Sequence, residues 1–128
     1  MNRAQTYEAL GKYPAAIADY KTVTEIDAEY WLPHNNLAFI YAACEQDDLR
    51  DGAQSLKHAQ LAFDLQPTKY WVNYGALAVA YAELGQFDKA IEMQKEAMER
   101  APDAQKVIAK RRLRLFNEGQ PYRRTAEK

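Results

Sequence analysis

Residues 74–102 read YGALAVAYAELGQFDKAIEMQKEAMERAP, and the fold is decided there. Tyr74, Leu77, Ala78 and Tyr81 are spaced three and four apart, which puts them on one face of a helix. Gly85 interrupts the pattern where a helix end calls for positive φ. Phe87, Ala90, Ile91, Ala97 and Met98 then mark a second helix, and Pro102 stops it. Small residues at Ala78 and Ala90 allow the two helix axes to approach closely.

The same stretch recurs upstream. Leu37, Ala38 and Tyr41 match Leu77, Ala78 and Tyr81. Ser55, Leu56, Ala59, Ala62, Phe63 and Pro67 match Ala90, Ile91, Gln94, Ala97, Met98 and Pro102. A third copy opens the chain with Ala4, Tyr7, Gly11, Tyr13, Ala16, Ile17 and Tyr20. Tyr7 and Tyr41 are 34 residues apart, and Tyr41 and Tyr81 are 40 apart. Tyr41 to Ser55 spans 14 residues, whereas Tyr7 to Ala16 and Tyr81 to Ala90 each span 9. The turn inside the second repeat is therefore five residues longer than its counterparts. Asp27-Ala28 stands where the other repeats have their closing proline.

These residues and the 34-residue period resemble the tetratricopeptide repeat (TPR), whose first helix carries W-x2-L-G-x2-Y. Here Tyr replaces Trp and Ala replaces Gly, and Gln94 replaces an aromatic of the second helix. The resemblance covers residues 4–102. It implies an all-α chain, a right-handed α-solenoid of three helix pairs. The segment YAACEQDDLRDGAQSLKHAQLA, with its LRDG turn, and the ending LRLFNEGQPYR resemble a bacterial variant of the repeat. Repeat one lacks the first turn of its first helix, as a chain cut from a longer array or a naturally frayed end would.

Helices are expected at 2–10, 14–26, 32–44, 52–65, 70–84, 87–100 and 103–118. The repeats span about 1–29, 30–69 and 70–102, a capping helix 103–118 follows, and residues 119–128 form a polar tail. Asp103 is a suitable N-cap for the last helix and Gly119 a suitable C-cap. Ala104, Val107, Ile108 and Leu115 are expected on its apolar face. A terminal helix of this kind covers the open end of a repeat stack.

Composition fits this reading. The chain has 128 residues, 48% of them apolar, with five glycines and a net charge of −1. The charge is unevenly placed: residues 1–102 carry a net −6 and residues 103–128 a net +5. The one cysteine, Cys44, excludes an intrachain disulfide and suits a reducing, cytoplasmic setting. No stretch has the length and apolarity of a membrane span.

The chain carries no phosphate loop, nucleophile elbow or metalloprotease motif, so nothing points to an enzyme or a cofactor. His34 and His58 form no metal-ligand set, and His34 takes the place of a packing aromatic. Asp47, Asp48 and Asp51 of the long turn lack the spacing and closing glutamate of a calcium loop. They read as solvating the turn and capping the next helix.

The resemblance implies a protein-interaction scaffold that binds a peptide or helix in a concave groove lined by the first helices. Inward positions are Gln5, Glu8, Leu32, Asn35, Phe39, Val72, Val79 and Ala82. Leu32, Phe39, Val72 and Val79 should form an apolar strip for an apolar or amphipathic partner, with Asn35 and Asn36 as polar groups. The tail has only Tyr122 able to insert, so the strip is expected open. The lysine–asparagine–arginine clamp of some family members for a chaperone's C-terminal carboxylate is met here only by Asn36. Met1, Gln5, Val72 and Ala76 occupy its other places. Two alternatives come from other classes. One is self-association into a homo-oligomer through the solenoid ends. The other is an anionic partner on Lys106, Lys110, Arg111, Arg112 and Arg114. The basic segment has no aromatic platform, which argues against single-stranded nucleic acid.

Overall fold

The computed structural model describes residues 1–66 and 68–124. Among them are seven α-helices: α1 (Asn2–Ala9), α2 (Tyr13–Ile26), α3 (Trp31–Ala43), α4 (Gly52–Leu65), α5 (Trp71–Glu83), α6 (Phe87–Arg100) and α7 (Lys106–Asn117). Short 3-10 turns lie at Asp47–Leu49 and Asp103–Gln105. No strand occurs among the described residues. The helix pairs α1–α2, α3–α4 and α5–α6 each pack together, α3 packs on α5, and α7 packs on α6. The stop assigned to Pro67 lies outside the described residues, as does the tail beyond residue 124.

The turns show how the sequence sets the pairs. Gly11 and Gly85 have φ of 75° and 77°. In the first pair Lys12 N donates to Tyr7 O at 2.8 Å, and in the third Gln86 N donates to Tyr81 O at 2.9 Å. Each bond satisfies a carbonyl orphaned at a helix end. In the second pair the equivalent carbonyl, Tyr41 O, accepts from Asp51 N at 2.8 Å. The five extra residues are looped out between the same two anchor points. Arg50 holds the loop by donating to Cys44 O at 2.6 Å and pairing with Asp47. Asp51 caps α4, its carboxylate accepting from Gln54 N at 3.1 Å.

Within each pair the contact is made by small side chains. Ala16, Ala38, Ala59, Ala78, Ala90 and Ala97 are fully buried. Ser55, which stands where repeat three has Ala90, donates its hydroxyl to Ala38 O at 2.7 Å. Buried serine is tolerated there because its hydrogen bond is made. Gln94 fills the aromatic position of the third pair and donates to Ala109 O of α7 at 3.0 Å.

The last helix corrects two expectations. Asp103 makes no side-chain cap, because a 3-10 turn precedes the α-helix at Lys106. Its buried stripe is Ala109, Arg112 and Phe116, while Val107 is 64% exposed and Ala104 is exposed. Ile108 and Leu115 are half-buried at its margins. The stripe is rotated because Arg112, a charged residue, is turned inward onto aromatic rings.

Ala90 has no exposed surface at the α5–α6 contact. Ala90→Trp should therefore lower the stability measured by thermal or urea unfolding, by about 1–3 kcal/mol or more from overpacking. A variant that melts like the parent would place this contact elsewhere.

Candidate functional site

The face lined by α1, α3 and α5 divides into two parts. Toward the N-terminal ends of α3 and α5, Leu32 and Val72 are half-buried. Trp31 and Tyr70 stand beside them with ring centroids 6.1 Å apart. Tyr70 is about half exposed, so this end presents apolar and aromatic surface to solvent. The two asparagines expected to meet a ligand are already engaged. Asn35 is buried, its amide donating to Val72 O at 3.3 Å and its oxygen accepting from Asn73 at 3.4 Å. It ties α3 to α5 instead of facing outward. Asn36 donates to the Tyr20 hydroxyl at 3.2 Å.

The part toward the C-terminal ends of these helices is covered by the chain itself. Val79 is 1% exposed and shares a buried cluster with Ala42, Ala82, Phe116 and Tyr122. Phe39 is half-buried, packed on two core clusters. The Arg112 guanidinium lies 5.4 Å from the centre of its ring and 4.5 Å from that of Tyr122. The expectation of a continuous open strip is corrected here: only the Leu32–Val72 end remains partly open.

The chain reverses at Gly119, whose φ is 71°. Gln120 N donates to Leu115 O at 2.9 Å, the same turn that closes the first and third pairs. Beyond it Tyr122 is 4% exposed. Arg123 pairs with Glu83 at 2.8 Å and donates to Ala42 O at 3.2 Å. Arg124 pairs with Glu8 at 2.5 Å. Its guanidinium also lies 5.9 Å from the centre of the Tyr13 ring. The tail thus reaches α5 and α3 through Arg123 and α1 through Arg124. Glu8, Val79 and Ala82, all inward positions by sequence, are the ones this segment meets.

The five basic residues of the last helix do not all lie on one exposed surface. Arg112 is buried, and Lys106 donates to Met98 O at 2.9 Å at the end of α6. Lys110, Arg111 and Arg114 are exposed and share a shallow hollow with Val107.

The two histidines, unconnected in sequence, meet. His34 of α3 and His58 of α4 are both buried, with their Nδ1 atoms 3.0 Å apart. One Nδ1 must carry the proton donated to the other. Tyr41 also stacks on His58, with ring centroids 5.9 Å apart. Burial lowers the His58 pKa to about 4, helped by His34 and the nearby Lys57 and Lys21. Burial also lowers that of His34, with Lys57 adding to it. The contact follows from the register of the pair: antiparallel helices that touch at Ala38 and Ser55 bring His34, one turn before, against His58, one turn after. Cys44 is buried, which pushes its thiol pKa up. No group of three or more metal-ligating side chains occurs among the described residues. No helix among them is long and apolar enough to cross a membrane.

Comparison with known families agrees with this architecture. Residues 4–43 match the family described as TPR repeat, and residues 73–104 match that described as Tetratricopeptide repeat. Together the matches cover more than half of the chain, and the protein belongs to the tetratricopeptide-repeat family. Repeats of this family generally mediate protein–protein interaction and are typically non-catalytic. No curated protein matches the chain.

The histidine pair generates a pH dependence. Below about pH 6.5 the unfolded chain takes up protons that folded His58 resists until about pH 4. Stability should fall as the pH drops through that window, by on the order of 2 kcal/mol. Urea unfolding across pH 7 to 4 reads it. His58→Phe should flatten the slope, and equal slopes for the two proteins would contradict the assignment.

Proposed function

We propose that the chain is a non-enzymatic protein-interaction scaffold that takes an apolar or amphipathic segment of a partner on the face lined by α1, α3 and α5. The observation that carries this reading is the Leu32–Val72 end of that face. There Leu32 and Val72 are half-buried in the first turns of α3 and α5, where the Trp31 ring meets that of exposed Tyr70. Adjacent apolar side chains with incomplete burial gain most when a ligand completes it. An amphipathic helix laid along them supplies such a ligand. The dispersal of the five basic residues leaves three exposed cations, which weakens the competing reading of an anionic partner on α7.

Phe39 would be a poor probe, because it packs in two core clusters and its loss would disturb the fold. Leu32 belongs to neither. Once affinity capture with the intact chain has supplied a partner, Leu32→Glu should weaken binding about tenfold or more by titration. Its melting temperature should stay near that of the parent. Glu92→Ala, on exposed α6 surface, should bind as the parent does. Equal effects of the two substitutions would move the functional surface elsewhere.

A further inference from the structure

The covered part of the face is chemically more specific than the open part. Tyr122 is buried in one cluster with Ala42, Val79 and Ala82. Two carboxylates, Glu83 and Glu8, lie beyond it with side chains only 15% and 16% exposed. Such carboxylates are costly to shield from water without a cation, and an arginine reaches each of them. Arg123 adds a bond to a backbone carbonyl at the end of α3, and Arg124 lies over an aromatic ring. Glu83 also lies 3.7 Å from Arg50, the residue that fixes the long turn of repeat two. Glu8 accepts the Tyr20 hydroxyl at 2.5 Å. Glu83 and Glu8 thus each have a partner besides the tail, Arg50 and Tyr20, that favours their present placement.

We propose that the C-terminal ends of α1, α3 and α5 form a binding site for a protein segment bearing an aromatic residue followed by two arginines, and that Tyr122–Arg123–Arg124 occupies it as an intramolecular competitor. The proposal rests on the reading of this face as the interaction surface and gives that face a ligand chemistry. Charge argues for it: the first 102 residues are net negative and the remainder net positive. Chain geometry argues for it too. The occupying segment is joined to α7 by the short stretch Gly119–Pro121, so it competes at an effective concentration of about 1 mM or more. An incoming segment with the same three side chains must exceed that, by affinity or by adding contacts at the Leu32–Val72 end. The tail therefore acts as a threshold that excludes weak ligands.

The test uses the full-length chain carrying Tyr122→Ala, Arg123→Ala and Arg124→Ala. The probe is the synthetic peptide GQPYRRTAEK, and the readout is the amide shifts of the labelled protein. The proposal expects saturable shifts at Glu8, Ala42 and Glu83. It expects affinity about tenfold or more above that for the unaltered chain, where the site is filled. Adding Glu83→Gln, or replacing the peptide's two arginines by alanine, should cost about tenfold. No binding by the substituted chain up to a few mM, or equal affinity for the substituted and unaltered chains, would overturn it. Circular dichroism checks that the substituted chain is helical. If it is not, Arg124→Gln alone serves, with Tyr122 and Arg123 left in place. That variant should bind the peptide measurably more tightly than the unaltered chain, and equal affinity would overturn the proposal. Light scattering that showed the tail exchanged between two copies would overturn the intramolecular role. Should the peptide fail while Leu32→Glu still weakens a partner, this inference falls and the broader reading stands.

Discussion

A helix pair whose apolar sides face each other still has a flank to cover, and everything in this chain follows from that constraint. Alanines at the contact lines let the two helices of each pair approach closely. Their outer flanks then require a neighbour, and the next pair supplies it. The demand propagates along the stack until something other than a repeat meets it. Here α7 meets it, with Ala109 and Phe116 buried and with the Ala109 carbonyl accepting from buried Gln94. That carbonyl satisfies the Gln94 amide nitrogen, while Gln94 Oε1 is buried without a hydrogen-bond partner among the described residues.

The terminal helix also explains the inward arginine. Arg112 lies between Phe39 of α3 and Tyr122 of the returning tail, 5.4 and 4.5 Å from their ring centres. A planar guanidinium can pack on ring faces while keeping its polar edge available, which a lysine does less well. The residue thus joins three segments distant in sequence. Arg123 and Arg124 continue the same joining toward the first repeat through Glu83 and Glu8. With Lys106 bound to Met98 O, four cations of the basic C-terminal part are engaged inside the molecule, which gives the charge asymmetry of the sequence an intramolecular use.

Much of this was legible in the sequence because it is local. Helix period, alanine positions, the glycines at the turns and the lengthened loop all depend on residues near one another in the chain. Observed helix ends accordingly agree with the expected ones to within a residue, apart from the 3-10 start before α7. What was not legible depends on tertiary register. Asn35 looked available to a ligand, but its partners Val72 and Asn73 lie on the next first helix. The histidines looked isolated until α3 and α4 were aligned at Ala38 and Ser55. Tyr122 looked like the lone anchor of a polar tail. Its burial follows from the reversal at Gly119, which aims the following residues back across α5, and from carboxylates waiting there for arginines.

The chain closes on itself, with the tail lying across all three repeats. Proton–proton contacts in solution test it most directly. Nuclear Overhauser cross-peaks are expected from the Tyr122 ring protons to the methyl groups of Ala42 and Val79 in the unaltered protein. A Tyr122 ring with unstructured-chain shifts and no cross-peak to either residue would contradict it.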